Sequence, residues 1–376
     1  MKGLEVQSHP WTEWSRWSPV WSQLHEGAAE ASLFLTTDWV ETWLEVFGAA
    51  LQSRILVFSE GDPKESRVVG ICLLSIQTQW AGPIRVRRAY LNTSGELEAD
   101  EVCSEDNALL CRPGAEDAVA SALAAHLQTQ DWDELVLNAW CPSPSLDALL
   151  RSPLERLSLT RAEMPSHFVD LRAIGAETDD YLKTLSRNTR EQVRRSRRTL
   201  EANAPIEVRP ALTPERCRQA LEDLASLHTA SWNARGKPGV FGSPVYRDFH
   251  ERLIRRLLPS RRVALLEIAT GDLKLAVLYN FVYAGASLFY QSGQRRDPDK
   301  RVKVGLVAHA SAIEHCRAAG FARYDFLASD HQYKKSLASA SRPQSWLVFR
   351  KRNAKLETLN LLRKANRALR GQRHRD

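Results

Sequence analysis

The order of apolar runs in the second half of the chain constrains the fold most. Val263–Ala269 and Leu273–Tyr283 read as strands joined by Thr270-Gly271-Asp272, and Ala286–Ser292 follows as a third strand after Ala284-Gly285. Val304–Ala319 then has helical periodicity and stops at Gly320, and Phe321–Leu327 and Gln344–Arg350 read as closing strands. Upstream, Thr213-Pro214 and Ser243-Pro244 each set an N-cap residue before a proline at the first helical position. They predict two helices, one carrying Leu221, Leu224 and Leu227, the other Phe249, Leu253 and Leu257. Helices interleaved with strands in this way predict an α/β fold.

The first half runs in the same order. Asp38–Phe47 predicts a helix with Trp39, Trp43 and Phe47 on one face, and Arg54–Phe58 and Arg67–Ile76 predict a hairpin about Gly61-Asp62-Pro63. After an irregular middle, Pro113–Leu127 reads as a helix and Glu134–Trp140 as a strand. A repeated order over 376 residues predicts a duplication and two domains. The expected division is a Trp-rich segment over 1–30, a first domain over 31–165, a second over 166–350 and a basic helical tail over 351–376. Pro142, Pro144 and Pro153 mark the first boundary. The second domain includes a basic helix over Tyr181–Leu200, with Leu182, Leu185, Thr189, Val193 and Leu200 on one stripe. Trp11, Trp14, Trp17 and Trp21 share one helical face, expected to dock on the protein's own core.

No run of about 18 uncharged apolar residues predicts a membrane-spanning helix. The polar N-terminus has no leader pattern, so the expected location is cytoplasmic, with peripheral contact at the inner face of the cytoplasmic membrane as an extension. Six cysteines without CxxC or zinc-ligand spacing predict no metal. The net charge of +7 is concentrated in Lys183–Arg198 and Arg342–Arg375. That suits phosphorylated partners: coenzyme A, nucleotide sugars, anionic lipid or RNA.

Two passages carry candidate chemistry. Tyr290 to Gly305 leads from a strand through a basic loop into a helix, and a helix N-terminus offers unpaired N–H groups to phosphate oxygens. Arg295, Arg296, Lys300, Arg301 and Lys303 add counter-charge, and Gly305 admits close approach to the backbone. An exposed basic loop has the same composition. The second passage, Tyr324 to Lys335, clusters Asp325, Asp330, His331, Tyr333 and Lys334. Acyl transfer to an amine needs a proton acceptor, for which Asp325, Asp330 or His331 qualify. It also needs oxyanion stabilisation, for which Lys334 or backbone N–H groups qualify.

Gly293, Gly305, Ala319-Gly320, Tyr324-Asp325-Phe326-Leu327 and Tyr333-Lys334 together resemble GNAT-superfamily acyltransferases of the CelD/BcsL type, active in polysaccharide biosynthesis. They also look like the second half of the Fem peptidyltransferases. The helix Leu185–Arg195, Trp232–Lys237 and Trp39–Trp43 fit the same group, so the resemblance spans roughly residues 30 to 350. It implies two tandem GNAT (acyl-CoA N-acyltransferase) folds with mixed, mostly antiparallel sheets flanked by helices. It implies acetyl-CoA or another acyl-CoA as co-substrate, held by Gln294, Arg295, Arg296, Arg301, Lys303, Val304 and Gly305. Asp325, Tyr333, Lys334 and Asp330 fall at the implied reacting centre; Arg187, Arg190, Arg194, Trp232, Arg235 and Tyr290 fall at the acceptor. The pyrophosphate signature Q/RxxGxG/A is represented by Arg301-Val-Lys-Val-Gly305-Leu-Val, with one of its two small residues.

The implied function is N-acylation, with acetyl as the expected group, of an amino sugar or related nucleotide- or lipid-linked precursor of exopolysaccharide or cell envelope. Polysaccharide-synthesis proteins are the implied partners. Two alternatives stand beside it: a Fem-like transfer from aminoacyl-tRNA to a peptidoglycan-type precursor, and a non-catalytic GNAT scaffold binding anionic lipid, nucleotide or an assembly partner. The first half, which lacks a phosphate-loop candidate between Arg54 and Trp140, is expected to be structural or acceptor-binding.

Overall fold

A computed structural model describes residues 3–28, 30–61, 66–177 and 180–359. The chain forms two compact units. The first is Met1–Leu97, Cys103–Glu163 and Ser345–Asp376; the second is Glu98–Val102 and Met164–Gln344.

In the first unit β1 (Glu5–Pro10), α1 (Trp14–Gly27), α2 (Thr37–Trp43) and α3 (Ala49–Leu51) precede β2 (Arg54–Glu60), β3 (Arg67–Ala81), β4 (Ile84–Leu91) and β5 (Leu110–Cys111). Helix α4 (Glu116–Gln128), β6 (Glu134–Trp140) and α5 (Pro144–Arg151) follow, and the chain leaves for the second unit within β7 (Ser158–Asp170). The second unit runs α6 (Leu171–Glu177), α7 (Tyr181–Thr184), α8 (Arg187–Leu200), β8 (Ile206–Pro210), α9 (Pro214–Asn233) and α10 (Pro244–Leu257). Then come β9 (Val263–Thr270), β10 (Leu273–Tyr283), β11 (Ala286–Gln294), α11 (Val304–Ala318), β12 (Arg323–Ala328) and α12 (Gln332–Leu337). The chain re-enters the first unit within β13 (Ala340–Arg350).

The duplication is visible in the pairing. The first unit has the strand order β1-β2-β3-β4-β6, antiparallel except for the parallel pair β4/β6. The second has β8-β9-β10-β11-β12, antiparallel except for β11/β12. Strand β7 follows β6 in the chain but pairs with β12, Asp170 lying opposite Arg323, while β13 follows β12 but pairs with β6. Each repeat thus gives its last strand to the other unit's sheet.

The tryptophan stripe is inside: Trp14, Trp17 and Trp21 of α1 are buried, and Trp21 Nε1 donates to the Leu35 carbonyl at 2.7 Å. Burying one indole, roughly 200 Å², stabilises by up to about 5 kcal/mol, far more than an exposed stripe contributes. Strand β2 carries the unbroken apolar run Ile55–Phe58, all of it buried, as suits an interior strand between β1 and β3.

Several sequence expectations change. The helix expected over Tyr181–Leu200 is two helices, because Ser186 leaves helical geometry and its Oγ caps the Thr189 N–H of α8 at 3.3 Å. The prolines of Pro142–Pro153 contain α5, with Ser143 as N-cap and Pro144 in the first turn. The irregular middle contains β4, whose arginines hide its strand pattern: Arg88 pairs with Glu134 at 2.8 Å while Val86 and Ala89 are buried. The tail is helical over 354–359, where Leu356 and Leu359 pack on Val86; its remainder lies outside the described residues.

Candidate active site

Strands β11 and β12 are paired only over Ala286–Leu288 and Arg323–Asp325. Beyond that point each carries a bulge. On β11, Gln291 lies opposite Tyr279 and Phe289 opposite Asn280, so Tyr290 is the extra residue. On β12 the register slips between Asp325 and Ala328, where Leu327 takes a left-handed φ of 58°. Bulges bend strands and raise their twist. Past this pairing β11 stays with β10 and β12 with β7. A cleft of about 630 Å³ lies at the end of β11, lined by the β11–α11 loop, the first turns of α11 and Tyr333 of α12.

The loop from β11 into α11 forms the outer wall, and Ser292, Gln294, Arg295, Arg296, Lys300, Lys303, Val304, Gly305 and Leu306 line the cleft. Helix α11 begins without a side-chain cap, and its first turn therefore presents N–H groups with no intrahelical partner to this space. The Ser196 hydroxyl accepts the Lys303 N–H at 2.9 Å, fixing the helix start against α8. Two glycines set the tight spots. A Cβ on Gly293 would stand 2.5 Å from the Leu224 carbonyl oxygen of α9. One on Gly305 would collide with the Gln294 side-chain oxygen, so the group that approaches this backbone most closely is the protein's own carboxamide. Arg296 donates to the Ser231 carbonyl at 3.0 Å, tying the rim to the end of α9.

At the inner end of the cleft, His309 and Tyr333 stack at 5.3 Å with an interplanar angle of 22°. His309 Nδ1 lies 3.1 Å from the Tyr324 hydroxyl. Burial, reinforced by the Lys334 charge, pushes the His309 pKa down to about 3, so the ring is neutral at physiological pH. Burial raises the Tyr333 phenol well above its ordinary value, so it too is neutral.

The remaining predicted residues are dispersed. Asp325 is fully buried; its Oδ1 accepts from the Leu327 N–H at 2.9 Å and the Ser166 hydroxyl at 3.1 Å, with Arg342 3.4 Å from Oδ2. Lys334 Nζ donates to the Phe326 carbonyl at 2.5 Å. Neither lines the cleft, nor does Asp330, which is exposed. Arg301 turns outward and forms a two-nitrogen pair with Asp299 at 2.9–3.0 Å. Arg187, Arg190 and Arg194 lie on α8, where Arg194 reaches Asp180 at 3.7 Å. Arg235 lies over the Trp232 ring at 5.7 Å, beside the rim. Tyr290 points to the other face of β11, against His250, Tyr279 and Phe281, and its hydroxyl donates to the Val102 carbonyl at 2.5 Å. Sequence reasoning missed Ser292, Leu306 and His309 in the lining; His309 sits in the apolar run Val307-Ala308-His309-Ala310 and gave no separate signal.

At the first unit's own parallel pair the described residues fill the corresponding strand edge. Past Arg88–Tyr90 and Glu134–Val136, Asn107 N–H donates to the Ala139 carbonyl at 3.0 Å and Asn107 Nδ2 to the Asn138 carbonyl at 2.8 Å. Thr93 and Ser104 both accept from Trp39 Nε1 at 3.1 Å. The chain's own segment occupies the strand edge that the second unit leaves open.

Residues 187–335, which include every residue lining the cleft, match the family described as the Acetyltransferase (GNAT) domain. Among solved structures, FemX is similar at 10% identity and a TM-score of 0.54, covering 88% of this chain and 95% of FemX. A conserved protein of unknown function from Bacteroides thetaiotaomicron VPI-5482 is similar at 9% identity and a TM-score of 0.53, covering 93% of this chain and 100% of that one. At these identities the likeness is one of fold. Comparison with curated protein sequences finds no match. The fold class is that expected: α/β, with mixed, mostly antiparallel sheets flanked by helices, the GNAT plan in the second unit and its strand order repeated in the first.

Proposed function

We propose that the second unit transfers an acyl group, acetyl in the simplest case, from acyl-CoA to an amine. The observation that carries this reading is the cationic cleft at the end of β11, lined by the β11–α11 loop and the uncapped start of α11. The donor chemistry fits. Arg295, Arg296 and Lys303 suit the pyrophosphate together with the first-turn N–H groups of α11. The edge of β11 past Leu288, without a β12 partner, suits the peptide-like amides of the pantetheine arm.

In the reaction the neutral acceptor amine attacks the thioester carbonyl carbon. The C–N bond forms, the C–S bond breaks, the ammonium proton passes to water and the coenzyme A thiolate takes up a proton. Tyr333, a neutral phenol at the inner end of the cleft, is the donor we assign for that last step, and the ammonium proton carried by water restores its phenol. A backbone N–H at the Tyr290 bulge is our candidate for the oxyanion. Asp325 and Lys334 are positioning residues in this reading, since they hold the bulge of β12.

The acceptor we favour is an amino sugar or related nucleotide- or lipid-linked precursor of exopolysaccharide or cell envelope. Its support is the resemblance to CelD/BcsL-type enzymes. A Fem-like transfer from aminoacyl-tRNA is the second reading, and one observation favours it. The basic helix α8 abuts the cleft mouth through Ser196 and through Arg195, which donates to the Arg301 carbonyl at 3.3 Å. Incubation with radiolabelled acetyl-CoA and a panel of nucleotide-linked amino sugars tests the proposal. Label in a sugar product supports it. No calorimetric binding of coenzyme A, together with salt-sensitive retention of charged tRNA, overturns it in favour of the second reading.

A further inference from the structure

We infer that His309 is a positioning residue for Tyr333: its ring, itself aimed by the Tyr324 hydroxyl, is the surface that holds the phenol at the reacting sulfur. The inference rests on the acyl-transfer reading, in which Tyr333 protonates the departing thiolate.

Tyr333 has little in its backbone to fix it. It sits on α12, a helix of six residues that begins without a side-chain cap. Two side-chain torsions separate its hydroxyl from that backbone. The hydroxyl has no hydrogen-bond partner among the described residues, so ring contacts set its direction. His309 stacks on it at 5.3 Å and 22°, closer than His331 at 6.1 Å or the edge of Phe326 at 6.3 Å. His331 is exposed, whereas His309 is 3% exposed and lines the cleft beside Tyr333.

His309 is held in turn. Phe289 and Phe326 meet its ring at 4.5 and 5.4 Å, at angles of 87° and 63°. Its Nδ1 lies 3.1 Å from the hydroxyl of Tyr324, which is fully buried on β12. That contact selects one of the two flipped orientations that packing alone leaves to a flat ring. Burial keeps the imidazole uncharged, so the face it offers the phenol is neutral. A phenylalanine would offer a similar face but leave the buried Tyr324 hydroxyl without this partner.

The test is a double-mutant cycle on turnover, with radiolabelled acetyl-CoA and the nucleotide-linked amino sugar that takes up label, at a temperature where every variant is folded. Coenzyme A binding is followed in parallel by calorimetry. His309→Ala is expected to lower kcat by about ten- to a hundredfold. The KM for acetyl-CoA and the affinity for coenzyme A are expected to change by less than about threefold. His309→Phe restores a stacking ring and is expected to return kcat to within about threefold of the unaltered protein. Its melting temperature is nonetheless expected to fall, because Tyr324 loses its partner. In a Tyr333→Phe background, His309→Ala is expected to cost nothing further in kcat, since the ring acts only through the phenol. Losses that multiply in the double variant overturn the inference, as does a His309→Phe variant as slow as His309→Ala. No binding of coenzyme A by the unaltered chain, or no label in any acceptor, overturns the acyl-transfer reading and this inference with it, a result distinct from failure of the cycle.

Discussion

Asp325 and Lys334 grip the same peptide of β12 from its two polar ends: Asp325 Oδ1 accepts the Leu327 N–H at 2.9 Å while Lys334 Nζ donates to the Phe326 carbonyl at 2.5 Å. Between them Leu327 is held at a φ of 58°, a conformation a leucine adopts only when its surroundings impose it. Replacing Asp325 by Asn leaves Arg323 and Arg342 without their buried counter-charge and is expected to cost about 2–4 kcal/mol in urea unfolding. Lys334→Met is expected to cost about 1–3 kcal/mol by leaving buried carbonyls unmet. Both are expected to weaken coenzyme A binding measured by calorimetry at a temperature where the variants remain folded. Unchanged affinity in both would detach the bulge from the cleft.

Gly293 and Gly305 should respond differently to alanine. At Gly293 the new methyl meets backbone of α9, which cannot move alone, and the expected loss is about 2–3 kcal/mol of stability. At Gly305 it meets the end of the Gln294 side chain, which can rotate. Stability there is expected to change by less than about 1 kcal/mol, with the penalty appearing in coenzyme A affinity instead. Parallel urea curves and calorimetry on the two variants separate the cases.

Buried histidines predict the acid response. His250 and His309 are pushed down to about 3, and His228 to about 4, each chiefly by burial. Their folded pKa values lie below the unfolded value of about 6.5, so their contribution is complete above that pH and is lost as pH falls toward the folded values. Between about pH 6 and 5, above the carboxylate range, each should lower the unfolding free energy by up to about 1.4 kcal/mol per pH unit. His228→Gln is expected to reduce the measured slope in part, since burial pushes His126, His167 and His315 down as well. A flat profile in the unaltered protein would mean that these rings are not buried neutral.

The cations of the loop are not equivalent. Lys303 lines the cleft, whereas Arg301 turns outward onto Asp299 with 80% of its side chain exposed. Lys303→Gln is expected to weaken coenzyme A about five- to tenfold, and Arg301→Gln less than about twofold. The reverse ranking in calorimetry would place the phosphates elsewhere.

Legibility followed local chemistry. The caps at Thr213 and Ser243 accept from Arg216 and Tyr246 N–H groups, as their place before a proline foretold. The same signal at Ser143-Pro144 was masked by its proline-rich surroundings, which suggested a linker. Strand β4 escaped notice because Arg85, Arg87 and Arg88 read as solvated, although Arg88 is committed to Glu134. At the site, the loop Gln294–Gly305 was readable because charge and glycine are local properties, and Gln294, Arg295, Arg296, Lys303, Val304 and Gly305 all line the cleft. The direction of Asp325 was not readable, because it depends on a bulge in β12 and on Ser166, 159 positions away. His309 was equally silent: one polar residue in an apolar helix announces nothing until its neighbours are known.

The exchange of β7 and β13 has a consequence for how this chain is born. As synthesis proceeds from the N-terminus, β6 emerges more than two hundred residues before its partner β13. Throughout that interval the nascent first unit carries a bare edge strand, the kind of surface that recruits other chains. The first unit cannot be cut out as a contiguous gene fragment without losing β13. A nascent-chain arrest just before Ala340 should therefore trap an aggregation-prone species that release of the remaining residues cures.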